Sequence, residues 1–356
     1  MWVGGWVGEL ACVPIRFDFM IASCTLLKMC VRLCVCVYMC VWPPSGRIWF
    51  DKVSTWLHDY GFRTLGNFDI FMVLDRRDLP RDAGGIILLN LYSDDGLGST
   101  DNSALCDSFM VDSKAAFNVL EKDTDYFLGC AIEWDPITGI IKLDQGKYLR
   151  EIVAKYDMTD IHSSPVPLPA GRKIYMNEDW NDDENLRNLH QQIAGSLNYA
   201  AQLRPELMFS VSQLCRVMSS PTHEYLSLAR QVIKYIMGSL YLKITYRPDD
   251  PNDPLSEANN ELMITTDSDW TTSVDTRCSH GCYVIMFAGV AIANRSQSHK
   301  SVMLSSAAAK YYEASEGCRE LTYIRGILTD FCGAELPSTL TYTIMKHCYG
   351  QNTCIF

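Results

Sequence analysis

The sequence predicts a chain of mixed α+β or α/β class with at least two domains. Its 356 residues are enough for two hydrophobic cores, and 48% apolar with 21% charged residues is typical of globular proteins. Short apolar runs bounded by glycine predict strands, whereas apolar residues repeated on one helical face predict helices. The first helix is predicted from the apolar stripe that runs from Trp49 to Tyr60 and stops at Gly61.

The remaining elements are predicted from the same two patterns. The apolar run Ile86–Tyr92 lies between glycines and predicts a buried strand. Apolar stripes at 207–218 and 228–235 predict two further helices that pack together. The run Tyr283–Ile292 predicts a β-hairpin, because turn residues at 288–290 interrupt it.

The overall charge argues against strong binding of a polyanion. The formal net charge is −11 and the isoelectric point is about 5.1, whereas a protein that grips phosphates usually carries a basic surplus. The 15 cysteines include no Cys-x-x-Cys pair and no cysteine–histidine cluster with zinc spacing. Free thiols in a reducing compartment are therefore expected.

Residues 1–43 differ in character from the rest of the chain. The stretch Phe19–Trp42 is almost wholly apolar and is long enough for a membrane span, but Lys28 and Arg32 near its middle would each cost about 2.5–3.5 kcal/mol there. A secretory signal would need a cleavage site of small residues, which is not clear here. The third interpretation is a translated GT-rich DNA repeat, because Cys34–Trp42 alternates cysteine and valine. We expect residues 1–43 to lack regular structure.

Two adjacent carboxylates, Asp94 and Asp95, follow the predicted strand in the sequence Tyr92-Ser-Asp-Asp-Gly96. Like charges this close repel each other, and bound Mg²⁺ is one way to offset the repulsion. Two metal ions about 3.5–4 Å apart can clamp the attacking and leaving oxygens of a phosphoryl transfer. The alternative is a simple turn, because Asp-Asp-Gly is also a common way to close a hairpin.

The order of short motifs after residue 44 resembles the Pol polyproteins of copia-type retrotransposons. The resemblance covers about residues 45–329. The motifs that carry it are, in chain order, Gly46-Arg-x-Trp49, Tyr92-x-Asp-Asp95, Tyr126-Phe-Leu-Gly129, Gln145-x-x-Tyr148, Gly195-Ser-Leu-Asn-Tyr199, Leu203-Arg-Pro-Glu206 and Ile233-Lys-Tyr-Ile-Met-Gly238.

This resemblance implies a domain order and an activity. It places a partial reverse-transcriptase palm at 44–160, a helical thumb and connection at 161–255, and a truncated ribonuclease H-like mixed sheet with helices at 256–356. The family is an RNA-directed DNA polymerase with ribonuclease H, and Asp94 and Asp95 would hold its Mg²⁺. The implied partners are an RNA or DNA template-primer, an RNA–DNA hybrid and deoxynucleoside triphosphates, inside the cell (cytoplasm or nucleus) and away from membranes.

The polymerase part departs from the family pattern. The family has a further aspartate on an earlier strand, whereas Glu9 and Asp18 are the only acidic residues before Asp51. The segments that hold template and nucleotide in the family also have no counterpart. Because positioning accounts for most of the catalysis in phosphoryl transfer, no polymerase turnover is expected.

The ribonuclease H-like part departs as well. The resemblance makes Asp267 the first metal ligand, but Ala308 and Lys310 stand where relatives have glutamates. We expect the ammonium group of Lys310 to pair with Asp267 instead of a metal ion. Nearby acidic residues are expected to form an exposed helix face rather than replacement ligands: Glu313, Glu316 and Glu320.

Three functions follow as hypotheses. The first is a degenerate, inactive fragment of a copia-type polyprotein. The second is a module that binds nucleic acid, namely an RNA–DNA hybrid, without catalysis, with contacts from Tyr92, Arg295, His299 and Lys300. The third is a protein anchored in a membrane through residues 19–42.

Overall fold

The chain folds into three sheets and seven α-helices within the residues that a computed structural model describes. Those residues are 30–37, 45–66, 70–80, 83–92, 95–117, 119–122, 125–172, 174–176, 183–247, 262–271, 273, 275–332, 339–343 and 354–355. The predicted mixed class of helices and strands is confirmed, and the structure adds that nearly all strand pairs are antiparallel.

The first sheet has six antiparallel strands in the order β2-β3-β4-β5-β1-β6. Two helices pack against one face of it, through a core that includes Leu57, Leu89 and Phe109. The predicted helix and its glycine stop are confirmed, since Gly61 has a φ of 111° directly after the helix. The elements are β1 (Cys30–Val37), α1 (Ser45–Tyr60), β2 (Arg63–Thr64), β3 (Phe71–Asp75), β4 (Ile86–Tyr92), β5 (Asp95–Thr100), α2 (Ser103–Ala116) and β6 (Val119–Lys122).

Strand β1 differs from the expectation that residues 1–43 lack regular structure. Residues 30–37 pair with β5 on one side and with β6 on the other. Valine alternates in this stretch and favours extended backbone, and the pairing satisfies strand edges that β5 and β6 would otherwise leave open. The rest of the segment, residues 1–29 and 38–43, lies outside the described residues.

The second sheet joins strands that are distant in sequence. Its order is β10-β9-β8-β7, and all neighbouring strands are antiparallel. Strand β10 pairs with β9, although about 100 residues separate them in the chain. Lys243, just before β10, binds Glu133 at 2.5 Å and Asp144 at 3.1 Å. The strands are β7 (Tyr126–Phe127), β8 (Cys130–Trp134), β9 (Ile141–Asp144) and β10 (Ile244–Tyr246).

Four helices form a unit with its own core, and both predicted stripes lie inside it. Leu207, Val211 and Val232 are fully buried there. The Leu-Arg-Pro-Glu motif has a structural role, because the buried Arg204 donates to the carbonyl and hydroxyl oxygens of Ser239 at the end of a helix. The helices are α3 (Gly146–Lys155), α4 (Glu184–Ala200), α5 (Met208–Arg216) and α6 (His223–Gly238).

The third sheet has the order β13-β12-β11-β14-β15, in which β11 and β14 are parallel and the other pairs antiparallel. The predicted hairpin is confirmed, with Ala288 and Gly289 at positive φ in its turn. A long helix packs on β11 and β12, close enough that a side chain at Gly317 would clash with Ile264. The elements are β11 (Met263–Asp269), β12 (His280–Phe287), β13 (Val290–Ser298), α7 (Ser306–Cys332), β14 (Leu340–Thr343) and β15 (Cys354–Ile355).

Within the described part of the chain, no helix combines the length and apolar character that crossing a membrane requires. The proposed anchor at residues 19–42 falls largely outside that part, and its described portion, residues 30–37, is a strand.

Candidate active sites

The first candidate site lies at the hairpin between β4 and β5. Tyr92 pairs with Asp95 across this hairpin. Asp95 is the first residue of β5 and is half-buried, whereas Asp94 lies outside the described residues. Metal binding at this carboxylate pair therefore stays a prediction.

The strand beside Asp95 carries no acidic residue. In the register of the sheet, Cys36 of β1 is the partner of Asp95, and Val35 is the partner of Gly96. The sequence of β1 is Cys-Val-Arg-Leu-Cys-Val-Cys-Val. A two-metal centre needs carboxylates that converge from neighbouring elements, and this strand supplies none.

Three of the family-like motifs meet beside this hairpin, which carries a fourth. The hydroxyl of Tyr199 donates to the carbonyl oxygen of Leu128, and its ring lies 4.8 Å from that of Tyr148, nearly perpendicular to it. Burial is the main cause that raises the pKa of Tyr199, and its neighbours Tyr126 and Tyr92 add to the effect. These tyrosines therefore tie the second sheet and the helical unit to the hairpin, and their contacts are structural.

The second candidate site lies at Asp267 on β11. The Nζ atom of Lys310 lies 2.7 Å from Asp267 Oδ1, which confirms the predicted ion pair. The Lys310 side chain is 11% exposed and that of Asp267 is 40% exposed. Where the structure is described, no group of three or more histidine, cysteine, aspartate or glutamate side chains could hold a metal ion.

Glu313 is not part of an exposed acidic face, so that expectation was wrong for this residue. Its side chain and that of His299 are fully buried, and His299 Nε2 lies 3.0 Å from Glu313 Oε2. Burial raises the pKa of Glu313 to about 7 and lowers the pKa of His299. Glu313 lies about one helical turn after Lys310, and its side chain points inward because α7 packs on the sheet at this position.

The proposed nucleic-acid contacts are not brought together as one basic surface. His299 is buried, so a phosphate contact would require its ring to leave the core. Arg295 binds Gln297 at 2.5 Å and Glu316 at 3.6 Å, whereas Lys300 is exposed. Tyr92 is half-buried in the other sheet. This set stays a prediction, with Lys300 as its most accessible member.

A directed chain of hydrogen bonds, which sequence reasoning missed, joins α5 to the third sheet. Arg216 Nη1 donates to Gln213 Oε1 at 2.9 Å, so the amide nitrogen of Gln213 faces His280 Nδ1 at 3.2 Å. His280 Nε2 then carries the proton and donates to Ser296 Oγ at 2.8 Å. Burial lowers the pKa of His280 to about 4. In this tautomer His280 cannot accept a proton from Ser296. The hydrogen bonds therefore hold α5 against the sheet and do not form a nucleophile–base pair.

Comparison of the whole sequence with known proteins identifies the class of protein that this chain resembles. The chain is similar to retrovirus-related Pol polyproteins of plant transposons, so the resemblance predicted from its motifs is confirmed. No protein-family model matches it.

The particular relatives differ greatly in length. The chain is 25% identical over 287 residues to the Pol polyprotein from transposon RE2 of Arabidopsis thaliana, which covers 80% of this chain and 18% of that protein. It is 24% identical over 277 residues to that from transposon TNT 1-94 of Nicotiana tabacum, which covers 73% and 20%. An uncharacterized mitochondrial protein of Arabidopsis thaliana is 25% identical over 238 residues, 66% of this chain and 93% of that protein. The chain thus spans about a fifth of the Pol polyproteins that it matches.

Proposed function

We propose that this chain is a remnant of a copia-type Pol polyprotein that performs neither RNA-directed DNA synthesis nor RNA cleavage. In this proposal the parts of the first two sheets that lie within 44–160 correspond to part of a reverse-transcriptase palm, whereas β1 and β10 come from outside that range. The helices within 161–255 correspond to its thumb and connection. The third sheet, within 256–356, corresponds to a truncated ribonuclease H-like domain.

The ion pair between Lys310 and Asp267 carries this proposal. An ammonium group 2.7 Å from the carboxylate lies where a magnesium ion would bind, and its positive charge repels a dication. The residues present therefore do not fit Mg²⁺ at Asp267. Without metal ions to stabilise the attacking and leaving oxygens, RNA cleavage at this position has no electrophilic support.

The hairpin at Asp95 supports the same conclusion for polymerisation. The adjacent strand β1 provides cysteine and valine where a second carboxylate would have to converge. Phosphoryl transfer depends on stabilising the charge of the attacking and leaving oxygens, and a hairpin whose neighbouring strand lacks a carboxylate is poorly suited to that task.

We expect no turnover when the purified chain is given Mg²⁺ or Mn²⁺ with a primed RNA template or an RNA–DNA hybrid. Primer extension and hybrid cleavage are measured on gels with end-labelled strands. Asp94→Ala and Asp95→Ala are the matched controls for extension, and Asp267→Ala is the control for cleavage. Product that disappears in one of these variants would contradict the proposal.

A second candidate function is binding of single-stranded nucleic acid without catalysis. Exposed aromatic side chains at Trp270 and Tyr311 favour it, because bases stack on such rings. The indole of Trp270 donates to the carbonyl of Met303, three residues after the exposed Lys300. The ring of Trp270 is thus bound to the segment that follows Lys300.

Gel-shift titration with a labelled oligonucleotide at several salt concentrations tests this candidate. We expect binding that weakens steeply with salt and falls about tenfold in Trp270→Ala, since stacking contributes about 1–3 kcal/mol per base. Tyr241→Ala, at an exposed tyrosine of the helical unit, is the control. No shift at low salt would exclude this second function and leave the first untouched.

A further inference from the structure

The buried Glu313–His299 pair is an unusual feature of the contact between α7 and the third sheet. Both side chains are fully buried, and their facing atoms are 3.0 Å apart. The other polar atom of each side chain, Glu313 Oε1 and His299 Nδ1, is also buried and has no hydrogen-bond partner among the described residues. The backbone of Gly281 lies directly against the pair, because a Cβ atom there would be 1.9 Å from Glu313 Oε2. The pair is therefore packed tightly against the backbone of β12.

The surrounding groups do not neutralise a charge on this pair. Arg295 on β13 lowers the pKa of Glu313 while Glu316 on α7 raises it, and both effects are smaller than that of burial. Burial raises the pKa of Cys282 to about 11 and that of Tyr283 to about 12, so both residues of β12 keep their protons near neutral pH. The ring of Tyr312 packs 4.7 Å from that of His299. A charge on Glu313 or His299 is therefore best neutralised by the other residue of the pair.

We propose that Glu313 and His299 share one proton and act as a single buried acid–base unit that keeps α7 seated on the sheet from mildly acidic to neutral solution. With one proton the pair has no net charge and makes one internal hydrogen bond. With none it buries a carboxylate, and with two it buries an imidazolium, each without a compensating charge. The one-proton state is therefore the state in which the helix packs best.

The two residues should make opposite contributions to the pH dependence of the free energy of unfolding. Glu313 in the folded chain has its pKa raised from 4.5 to about 7, so its contribution to stability is lost as the pH rises through this window. His299 has its pKa lowered from 6.5, so its contribution is lost as the pH falls below that value. Near about pH 5.5, midway between the unperturbed values of 4.5 and 6.5, the folded and unfolded pair each hold about one proton, and the two slopes cancel.

Replacing either residue should reveal the pH dependence of stability that the other residue contributes. In Glu313→Gln the unfolding equilibrium constant should fall as the pH rises from about 5 to 6.5, and in His299→Gln it should rise over the same range. Each slope should approach about tenfold per pH unit, whereas the double variant and Glu316→Gln should follow the wild type. Urea denaturation followed by far-ultraviolet circular dichroism, at closely spaced pH values, measures these constants. Single variants with parallel profiles would overturn the proposal.

A direct measurement covers the case in which a single variant does not fold. Ring ¹⁵N shifts of His299 in the full chain, assigned by their absence in His299→Gln, report its protonation. We expect these shifts to stay constant from about pH 5 to 6.5, because the shared proton remains with the pair. A simple titration of His299 with a midpoint near its unperturbed value would refute the proposal.

Discussion

Replacing Val35 by proline will destabilise the chain by about 1–3 kcal/mol, because proline removes a donor from a strand that is paired on both sides and leaves the partner carbonyl unsatisfied. Val35 pairs with Gly96 of β5 and with Glu121 of β6, so the substitution lies in an interior strand where every backbone donor faces a neighbouring strand. The variant should also aggregate, since release of β1 leaves open strand edges on β5 and β6. Urea denaturation and light scattering measure the two effects.

Val35→Thr is the matched control, because threonine keeps the backbone donor and the branched shape that favours a strand. We expect its denaturation midpoint to stay much closer to that of the wild type. If the proline variant unfolds like the wild type, β1 does not pair in solution. The interpretation of residues 1–43 as a stretch unrelated to the fold would then gain support.

The elements that sequence predicts well are those whose burial is visible in local periodicity. Helix α1 and strand β4 follow from a stripe and an apolar run, each ended by glycine. The pairing of Lys310 with Asp267 could also be predicted, because a motif comparison places the two residues at one position of the fold. In both cases the information lies within a short segment or a recognisable motif.

Burial of Glu313 could not be predicted, because it depends on contacts between distant segments. The spacing of Glu313 from Glu316 and Glu320 is compatible with an acidic helix face, and nothing local marks Glu313 as different. What places it inside is the glycine at 281 on another element, which leaves room for its carboxylate, and His299, which binds it. The position of β1 is non-local in the same sense, since its partners are about 60 to 90 residues away in the chain.

Replacing Lys310 by glutamate should create a divalent-metal site at Asp267 that the wild type lacks. Two unit charges about 4 Å apart interact by about 1 kcal/mol even with the screening of water. Changing the side chain from +1 to −1 beside a dication therefore favours binding by about 4 kcal/mol, or about a thousandfold in affinity. Without metal the variant should be less stable than the wild type, because two carboxylates then replace an ion pair at 2.7 Å. Titration calorimetry with Mn²⁺ and denaturation in the presence of a chelator measure both effects.

Two controls separate a local site from a change in overall charge. Lys300→Glu makes the same change of net charge at an exposed position, and we expect no gain in affinity for Mn²⁺. Adding Asp267→Asn to the Lys310→Glu variant should abolish most of the gain, because it removes the carboxylate that faces residue 310. Equal affinity in Lys310→Glu and Lys300→Glu would show that Lys310 does not suppress a metal site. The strongest support for an inactive ribonuclease H-like part would then be lost, whereas the case against polymerisation, which depends on β1 and the hairpin at Asp95, would stand unchanged.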